Sequence, residues 1–185
     1  MKVTRLGIDI AKSVFQLHGV DEAGKVVLRK KCSRHELIKI VANLSPCLIG
    51  MEACGGAHHW AREFKKLGHD VKLMSPHFVA PYLKSNKNDM ADAEAICEAV
   101  GRPNMRFVPI KTVDQQDILS LHRIRERLIK SRTALANEIR GLLAEYGIIV
   151  PQGLGRLRKI LPELLESSGD RLTSMSRESF NVLLR

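Results

Sequence analysis

Four acidic residues in three short segments of this chain have the type and spacing to hold divalent cations. Asp9 interrupts one apolar run, Glu52 follows another, and Asp89 and Asp92 lie three residues apart. Clustered carboxylates raise one another's pKa unless hard cations such as Mg²⁺ or Mn²⁺ neutralise them. Two such ions about 4 Å apart can activate an attacking oxygen and stabilise a leaving oxygen in phosphodiester chemistry.

Each acid also has a simpler structural explanation. Glu52 could be an ordinary strand-end acid, and Asp89 could cap a helix and favour its dipole. Asp9 is harder to explain in this way, because a carboxylate inside a strand must be paired, hydrogen-bonded or bound to a cation. We therefore regard Asp9 as the strongest single indication of a functional site.

Other patterns near Glu52 carry weaker signals. Gly55-Gly56 could form a phosphate-binding loop, but no Walker-type Lys-Ser/Thr follows it. The adjacent His58 and His59 point to different faces of a helix, which argues against a metal site with Cys54. The cysteines show no C-x-x-C spacing, so reduced, half-buried thiols are expected rather than disulfides or zinc ligands; they are Cys32, Cys47, Cys54 and Cys97.

The predicted elements determine whether the four acids can meet. Three β-rich runs open the chain as an antiparallel meander: Val3–Ala11, Val14–Val20 and Lys25–Lys31. The later elements are a Ser33-capped helix to Asn43, a strand Cys47–Met51, a helix Ala57–Leu67, a strand Asp70–Met74, a short helical stretch and a helix Asp89–Val100. This order predicts an α/β fold, a ribonuclease-H-like (RuvC-like) mixed sheet flanked by helices. It allows the acids to converge at one sheet edge.

A long helix is predicted from Thr112 to Tyr146. Leu121, Leu128, Leu135 and Leu142 recur every seven residues, with Ile118, Arg125, Arg132, Ile139 and Tyr146 on the companion position. An intermolecular coiled coil and an amphipathic helix packed on its own domain fit this pattern equally well. Basic side chains beside the seam can contact phosphates or form a solvated face.

The remaining chain predicts a linker around Pro151, a helix Leu154–Leu165 kinked or split at Pro162, and the start of another helix from Thr173. A pattern that stops midway predicts a fragment of a longer protein. We predict three regions: 1–110 as the acidic α/β domain, 111–147 as a basic coiled-coil helix, and 148–185 as a helical connector.

Charge indicates the kind of partner. Thirty Lys and Arg against twenty Asp and Glu give a net charge of +10, which favours a polyanion such as nucleic acid. With 4% aromatic residues, a platform for stacking single-stranded bases is not indicated. No apolar run approaches the roughly 20 residues of a membrane span, and no signal peptide precedes the first strand, so a cytoplasmic location is expected.

Three segments together carry a family resemblance: Gly7-Ile8-Asp9-Ile10-Ala11-Lys12, Met51-Glu52-Ala53-Cys54-Gly55 and Lys87-Asn88-Asp89-Met90-Ala91-Asp92-Ala93. The segment Leu142–Gly147, followed by Pro151, matches the end of the family's long helix. With this ordered set the chain resembles the DEDD transposases of bacterial insertion sequences, the insertion-sequence one-ten family, to which the Piv DNA invertases are related.

The resemblance implies a RuvC-like domain in which Asp9, Glu52, Asp89 and Asp92 are catalytic and bind Mg²⁺ or Mn²⁺. It implies a transposase that recombines transposon ends and target DNA, guided by a structured noncoding RNA. A homo-oligomer, dimer or tetramer, through the long helix and a nucleoid-associated location in bacteria are also expected. The expected nucleic-acid contacts are Lys12, Lys84, Lys87, Arg123, Arg127, Lys130 and Arg140.

One departure from the family pattern keeps other functions open. The family's second domain, with its nucleophilic serine, would follow the helical region, and no room for it is seen before Arg185; Ser174, Ser176 and Ser179 are not assigned that role. A RuvC-like two-metal nuclease or resolvase needs no serine, and a non-catalytic nucleic-acid-binding dimerisation module needs no metal. A sugar-kinase or actin-like ATPase is disfavoured, because Lys12 replaces the expected Gly-Thr turn.

Overall fold

The computed structural model describes residues 2–83 and 89–183, with Asp89 described by its backbone alone. The chain forms two compact units, Met1–Gln115 and Gln116–Arg185. In the described ranges, no helix has both the length and the apolar character that a membrane span requires.

A six-stranded mixed sheet is the centre of the first unit. Its strands are β1 (Arg5–Ile10), β2 (Val14–Val20), β3 (Val26–Ser33), β4 (Leu48–Glu52), β5 (Asp70–Met74) and β6 (Phe107–Val108). The spatial order is β3-β2-β1-β4-β5-β6. β1, β4 and β5 run parallel, while β2, β3 and β6 pair antiparallel with their neighbours. The predicted ribonuclease-H-like mixed sheet is therefore confirmed.

Four helices accompany this sheet: α1 (Arg34–Ala42), α2 (Ala57–Lys66), α3 (Pro76–Val79) and α4 (Asp89–Val100), with a 3₁₀ turn at Ala80–Tyr82. The start of α1 shows why the sequence predicted this helix correctly. The Glu36 carboxylate accepts hydrogen bonds from the backbone N–H and the hydroxyl of Ser33, at 2.8 and 2.7 Å. These bonds form a capping box that ends the strand and begins the helix.

Each face of the sheet has its own helices and core. On one face the alternate strand residues Ile8 and Met51 are fully buried with Leu37 of α1 and with Trp60 and Phe64 of α2. The other face carries α4, whose Ile96 and Val100 are buried with Met74 and other apolar side chains. Side chains alternate between the two faces of a strand, so every second residue of β1 and β4 points toward α4.

Helices alone build the second unit. The long helix α5 (Val113–Glu145) begins at the end of the first unit, and α6 (Leu154–Ser167), a 3₁₀ turn (Gly169–Arg171) and α7 (Ser174–Leu183) follow. Its core combines Ile139 and Leu143 of α5 with Leu161 of α6 and Phe180 of α7. Because α6 continues through Pro162 as one helix, the predicted alternative of a split helix is wrong.

Candidate active site and nucleic-acid surface

Asp9 and Glu52 lie side by side on neighbouring parallel strands. The register pairs Gly7 with Gly50 and Ile8 with Met51, so the next step along β1 and β4 brings Asp9 beside Glu52. Both acids are half-buried. They lie at the carboxyl ends of their strands, where binding sites of α/β sheets usually form.

The same face of the sheet receives α4 at unusually close range. Asp9 and Glu52 each lie two residues after a glycine, Gly7 or Gly50, and so point to the face that α4 covers. A Cβ atom at Gly7 would lie 2.5 Å from the backbone nitrogen of Cys97 and would also collide with the Ala93 carbonyl oxygen. The helix backbone therefore rests directly on β1, which only glycine permits.

α4 crosses the strands on the face to which Asp9 and Glu52 point. Its residues Ala93 and Cys97 lie over Gly7 of β1, and Val100 lies over Gly50 of β4. The Cys97 thiol donates to the Arg5 carbonyl oxygen at 3.7 Å.

The pKa of the Cys54 thiol reflects the negative charge at this edge of the sheet. Burial raises the pKa of Cys54, and the carboxylates of Glu52 and then Asp9 raise it further. Both carboxylates therefore lie close enough to Cys54 to act on its thiol at the ends of β1 and β4. The four cysteines are free thiols, and three of them are fully buried rather than half-buried.

The predicted tetrad is described only in part. Asp92 is half-buried in the first turn of α4, and the side chain of Asp89 lies outside the described residues. Among the side chains that are described, no three from His, Cys, Asp and Glu are grouped so that they could hold a metal ion. What the structure brings together is therefore the Asp9 and Glu52 pair, with the beginning of α4 on the same face.

A clamp that sequence reasoning missed fixes the segment before α5. The backbone N–H of Lys111 donates to Nδ1 of His58 at 3.2 Å, and the Arg62 guanidinium donates to the Lys111 carbonyl oxygen at 2.7 Å. Burial lowers the pKa of His58, and the positive charges of Lys111 and Arg62 lower it further. The contacts span 49 to 53 positions of sequence, so no local pattern could have indicated them.

The predicted phosphate contacts fall into three groups. Lys12, Arg123, Arg127 and Lys130 are exposed, and Lys130 forms an ion pair with Glu126 at 2.8 Å. Lys84 and Lys87 lie outside the described residues. The Arg140 guanidinium donates to the carbonyl oxygens of Pro151 at 3.3 Å and Gly153 at 3.0 Å, so its donors already bind the loop before α6.

The first half of α5 displays large apolar side chains to solvent. Ile118, Leu121 and Leu128 of the predicted seam are 56%, 67% and 63% exposed. Ile124, which the seven-residue pattern did not include, is also 56% exposed, three residues after Leu121. The signal that could have found it is this three-residue spacing, which places both side chains on one side of the helix.

Comparison with known proteins gives a consistent result. The family model for DEDD transposases of the IS110 type, described as a transposase, matches residues 6–148. A probable family 20 transposase of Pseudomonas aeruginosa is 54% identical over 149 residues, which are 80% of this chain and 44% of that protein. The transposase for insertion sequence element IS1111A of Coxiella burnetii is 52% identical over 178 residues, 96% of this chain and 49% of its own. The chain thus spans about half the length of the curated relatives that it matches.

Proposed function

Because the chain belongs to the DEDD transposase family of IS110-type insertion sequences, we propose that it acts in DNA transposition as the metal- and nucleic-acid-binding part of a transposase. Asp9 and Glu52 form the centre of the proposed active site. The observation that carries the proposal is their adjacent position on β1 and β4, on the face of the sheet that α4 covers.

A divalent cation fits the chemistry of the donors at this edge. Carboxylate oxygens are the ligands that Mg²⁺ and Mn²⁺ prefer, and the charges of Glu52 and Asp9, which add to burial in raising the pKa of Cys54, favour a cation. Asp9 and Glu52 would hold the ion, and Asp92 and Asp89 complete the proposed set from α4. When bound, the metal supplies an activated attacking oxygen and stabilises the leaving oxygen of a phosphodiester. The carboxylates of these residues would hold and orient that ion.

The proposed substrates and partners are nucleic acids. The net charge of +10 and the exposed Lys12, Arg123, Arg127 and Lys130 support contacts with the phosphates of DNA and of a structured guide RNA. We expect a homo-oligomer through the long helix, which the exposed apolar side chains of α5 support. A second half with the family's serine, as the length of the relatives allows, would complete strand exchange.

Calorimetric titration of Mg²⁺ or Mn²⁺ into the chain tests the proposed site. We expect saturable binding that Asp9→Asn reduces at least tenfold, because the variant removes a charged oxygen ligand from the centre of the pair. Glu52→Gln should act in the same direction.

Asp70→Asn is the matched control. Asp70 is an exposed strand acid at the opposite end of β5, ion-paired with Lys72 at 3.2 Å, and its replacement should leave metal affinity unchanged. Equal metal binding by wild type and Asp9→Asn, with or without branched DNA and structured RNA, would remove the proposed active site and favour a non-catalytic binding module.

A further inference from the structure

A groove between α1 and α2 is lined mainly by side chains that are positively charged or can accept a proton. Arg34, His35 and Lys39 line it from α1, and His59 lines it from α2. All four are exposed, and the groove has a volume of about 630 Å³. We call it the α1–α2 groove.

The acids of the two helices already have partners. Glu63, which lines the groove from α2, is ion-paired with Lys66 at 2.7 Å. Glu36, the acid of α1, accepts the hydrogen bonds of the capping box. Within the described ranges, none of the ion pairs includes Arg34 or Lys39. The groove therefore keeps an excess of positive charge that a bound anion would balance.

The start of α1 carries bases where a helix disfavours them. Arg34 and His35 are its first two residues. The N-terminus of a helix has a partial positive charge, so acids are stabilising there and cations are not. The same partial charge attracts anions such as phosphate. The helix dipole and the basic side chains thus act in the same direction on an anion in the groove.

Trp60 adds an unsatisfied hydrogen-bond donor to this groove. Its side chain is 5% exposed, and the indole Nε1 is buried without a hydrogen-bond partner among the described residues. The Arg34 guanidinium lies 5.1 Å from the centre of the indole ring. Because buried donors are nearly always paired, this orphan donor independently favours a ligand that brings acceptor oxygens.

The phosphate groups of a nucleic-acid backbone fit these features. They carry the negative charge and the acceptor oxygens, which arginine binds in bidentate geometry and lysine as a point charge. Stacking of bases is not expected, since the Trp60 ring is covered by Phe15 and Phe64, with ring centres 5.4 and 5.6 Å away. Phosphate contacts fix the position of a nucleic acid without reading its sequence.

We propose that the α1–α2 groove is a further nucleic-acid-binding site, in which Arg34 and Lys39 hold phosphates of a DNA or RNA backbone. The groove lies on the side of the sheet that α1 and α2 cover, whereas Asp9 and Glu52 point to the side that α4 covers. It therefore anchors a nucleic acid away from the proposed active site. The inference rests on the proposed function only in taking nucleic acid as the partner.

Trp60 is the only tryptophan of the chain, so its fluorescence emission reports on this groove. The full chain is titrated with a DNA duplex and, separately, with an RNA hairpin. We expect a saturable change in emission with at least one of them, and the tighter of the two identifies the source of the phosphates. Binding that is measured by anisotropy of labelled DNA or RNA but leaves Trp60 emission unchanged would overturn the proposal.

Lys39→Gln tests the phosphate contact itself. The variant should weaken binding about fivefold to tenfold near 0.1 M salt and lower the slope of log affinity against log salt by about 1, because one phosphate contact is lost. Lys65→Gln is the matched control, since it removes the same charge from an exposed position of α2 outside the groove, and its slope should stay that of wild type. Equal slopes of the two variants would overturn the proposal.

Metal titration of the same samples separates this inference from the proposed active site. Lys39→Gln should keep saturable metal binding, and Asp9→Asn should keep the response of Trp60 to nucleic acid. Nucleic-acid binding without a Trp60 response removes the groove alone. Failure of both nucleic acids to bind removes the groove together with the proposed partners, and leaves the metal site to its own titration.

Discussion

At the scale of single residues, protonation of the His58 ring affects the hydrogen bond that holds the chain at Lys111. Nδ1 accepts the Lys111 N–H, and the Lys111 ammonium lies 3.2 Å from Nε2. Protonating Nδ1 removes this hydrogen bond and adds a positive charge beside Lys111 and Arg62. The folded clamp therefore requires the neutral ring.

The free energy of unfolding should decrease at acid pH because of the His58 ring. The pKa of His58 is lowered in the folded state from its ordinary value of 6.5, so its contribution to stability is fully present above pH 6.5. The contribution is lost as pH falls below that value, since the unfolded chain takes up a proton first, and it levels off below the folded pKa. Urea unfolding from pH 7.5 to about 5 should show this decline.

His58→Gln should make the curve of unfolding free energy flatter over that pH range, since glutamine has no proton to gain. His59→Gln, an exposed neighbour on α2, serves as the control and should keep the wild-type shape. Identical pH dependence in wild type and His58→Gln would show that the clamp does not depend on a neutral ring.

The neighbouring positions of Asp9 and Glu52 were predictable from sequence, their role stays a prediction, and the clamp was not predictable. Asp9 and Glu52 follow from local patterns, an acid inside an apolar strand and an acid at the end of another, together with the order of the strands. His58 and Lys111 are far apart in sequence and meet only because the chain returns across α2 after β6. Contacts between residues far apart in the chain leave no periodic pattern in the sequence from which they could be predicted.

At the scale of elements, Gly7 and Gly50 determine how close α4 can lie to the sheet. Gly7 and Gly50 are register partners, and a Cβ on either would meet α4, at Gly50 within 2.7 Å of the Val100 Cβ. Asp9 and Glu52 point to the same face, so this short separation also sets how close α4 lies to the side of the sheet that carries them. Backbone shape and the geometry of the proposed active site are thus coupled.

Gly7→Ala should lower the free energy of unfolding by about 2 to 3 kcal/mol, because the added methyl group collides with the backbone of α4 and forces the helix away. Gly55→Ala is the matched control, since its Cβ would meet nothing within 4 Å, and a change of less than about 0.5 kcal/mol is expected. Urea denaturation measures both. Equal stability of the two variants would contradict the close packing.

Most helices and strands were predictable because they have a clear hydrophobic period or a helix cap. β2 and β5 have the predicted bounds, α4 covers the predicted residues, and α5 differs from prediction by one residue at each end. β6 was missed because a two-residue strand is defined by its pairing with Leu73 and Met74, which local sequence does not reveal. The boundaries of the three predicted regions stay predictions.

At the scale of the whole molecule, the excess of positive charge should dominate nucleic-acid affinity. If six or more phosphates are neutralised, the affinity for structured RNA or branched DNA should fall by on the order of 10³ or more between about 50 and 200 mM salt. Fluorescence anisotropy titrations at several salt concentrations measure this slope. Lys130→Gln together with Arg127→Gln should reduce the slope, whereas an affinity independent of salt would contradict a phosphate-dominated contact.

The outermost strand β3 also affects how copies of the protein can meet. Among the strands that the structure describes, β3 has a neighbour on one side, β2, and its consecutive residues Arg29, Lys30 and Lys31 are exposed. An open strand edge is a template for joining sheets into continuous fibres, but two copies approaching here would bring Lys30 and Lys31 of each together, while Arg29 is ion-paired with Glu94 at 3.4 Å. Like charges along β3 therefore oppose the merging of sheets, and with it amyloid-like aggregation, at the edge where it would otherwise begin.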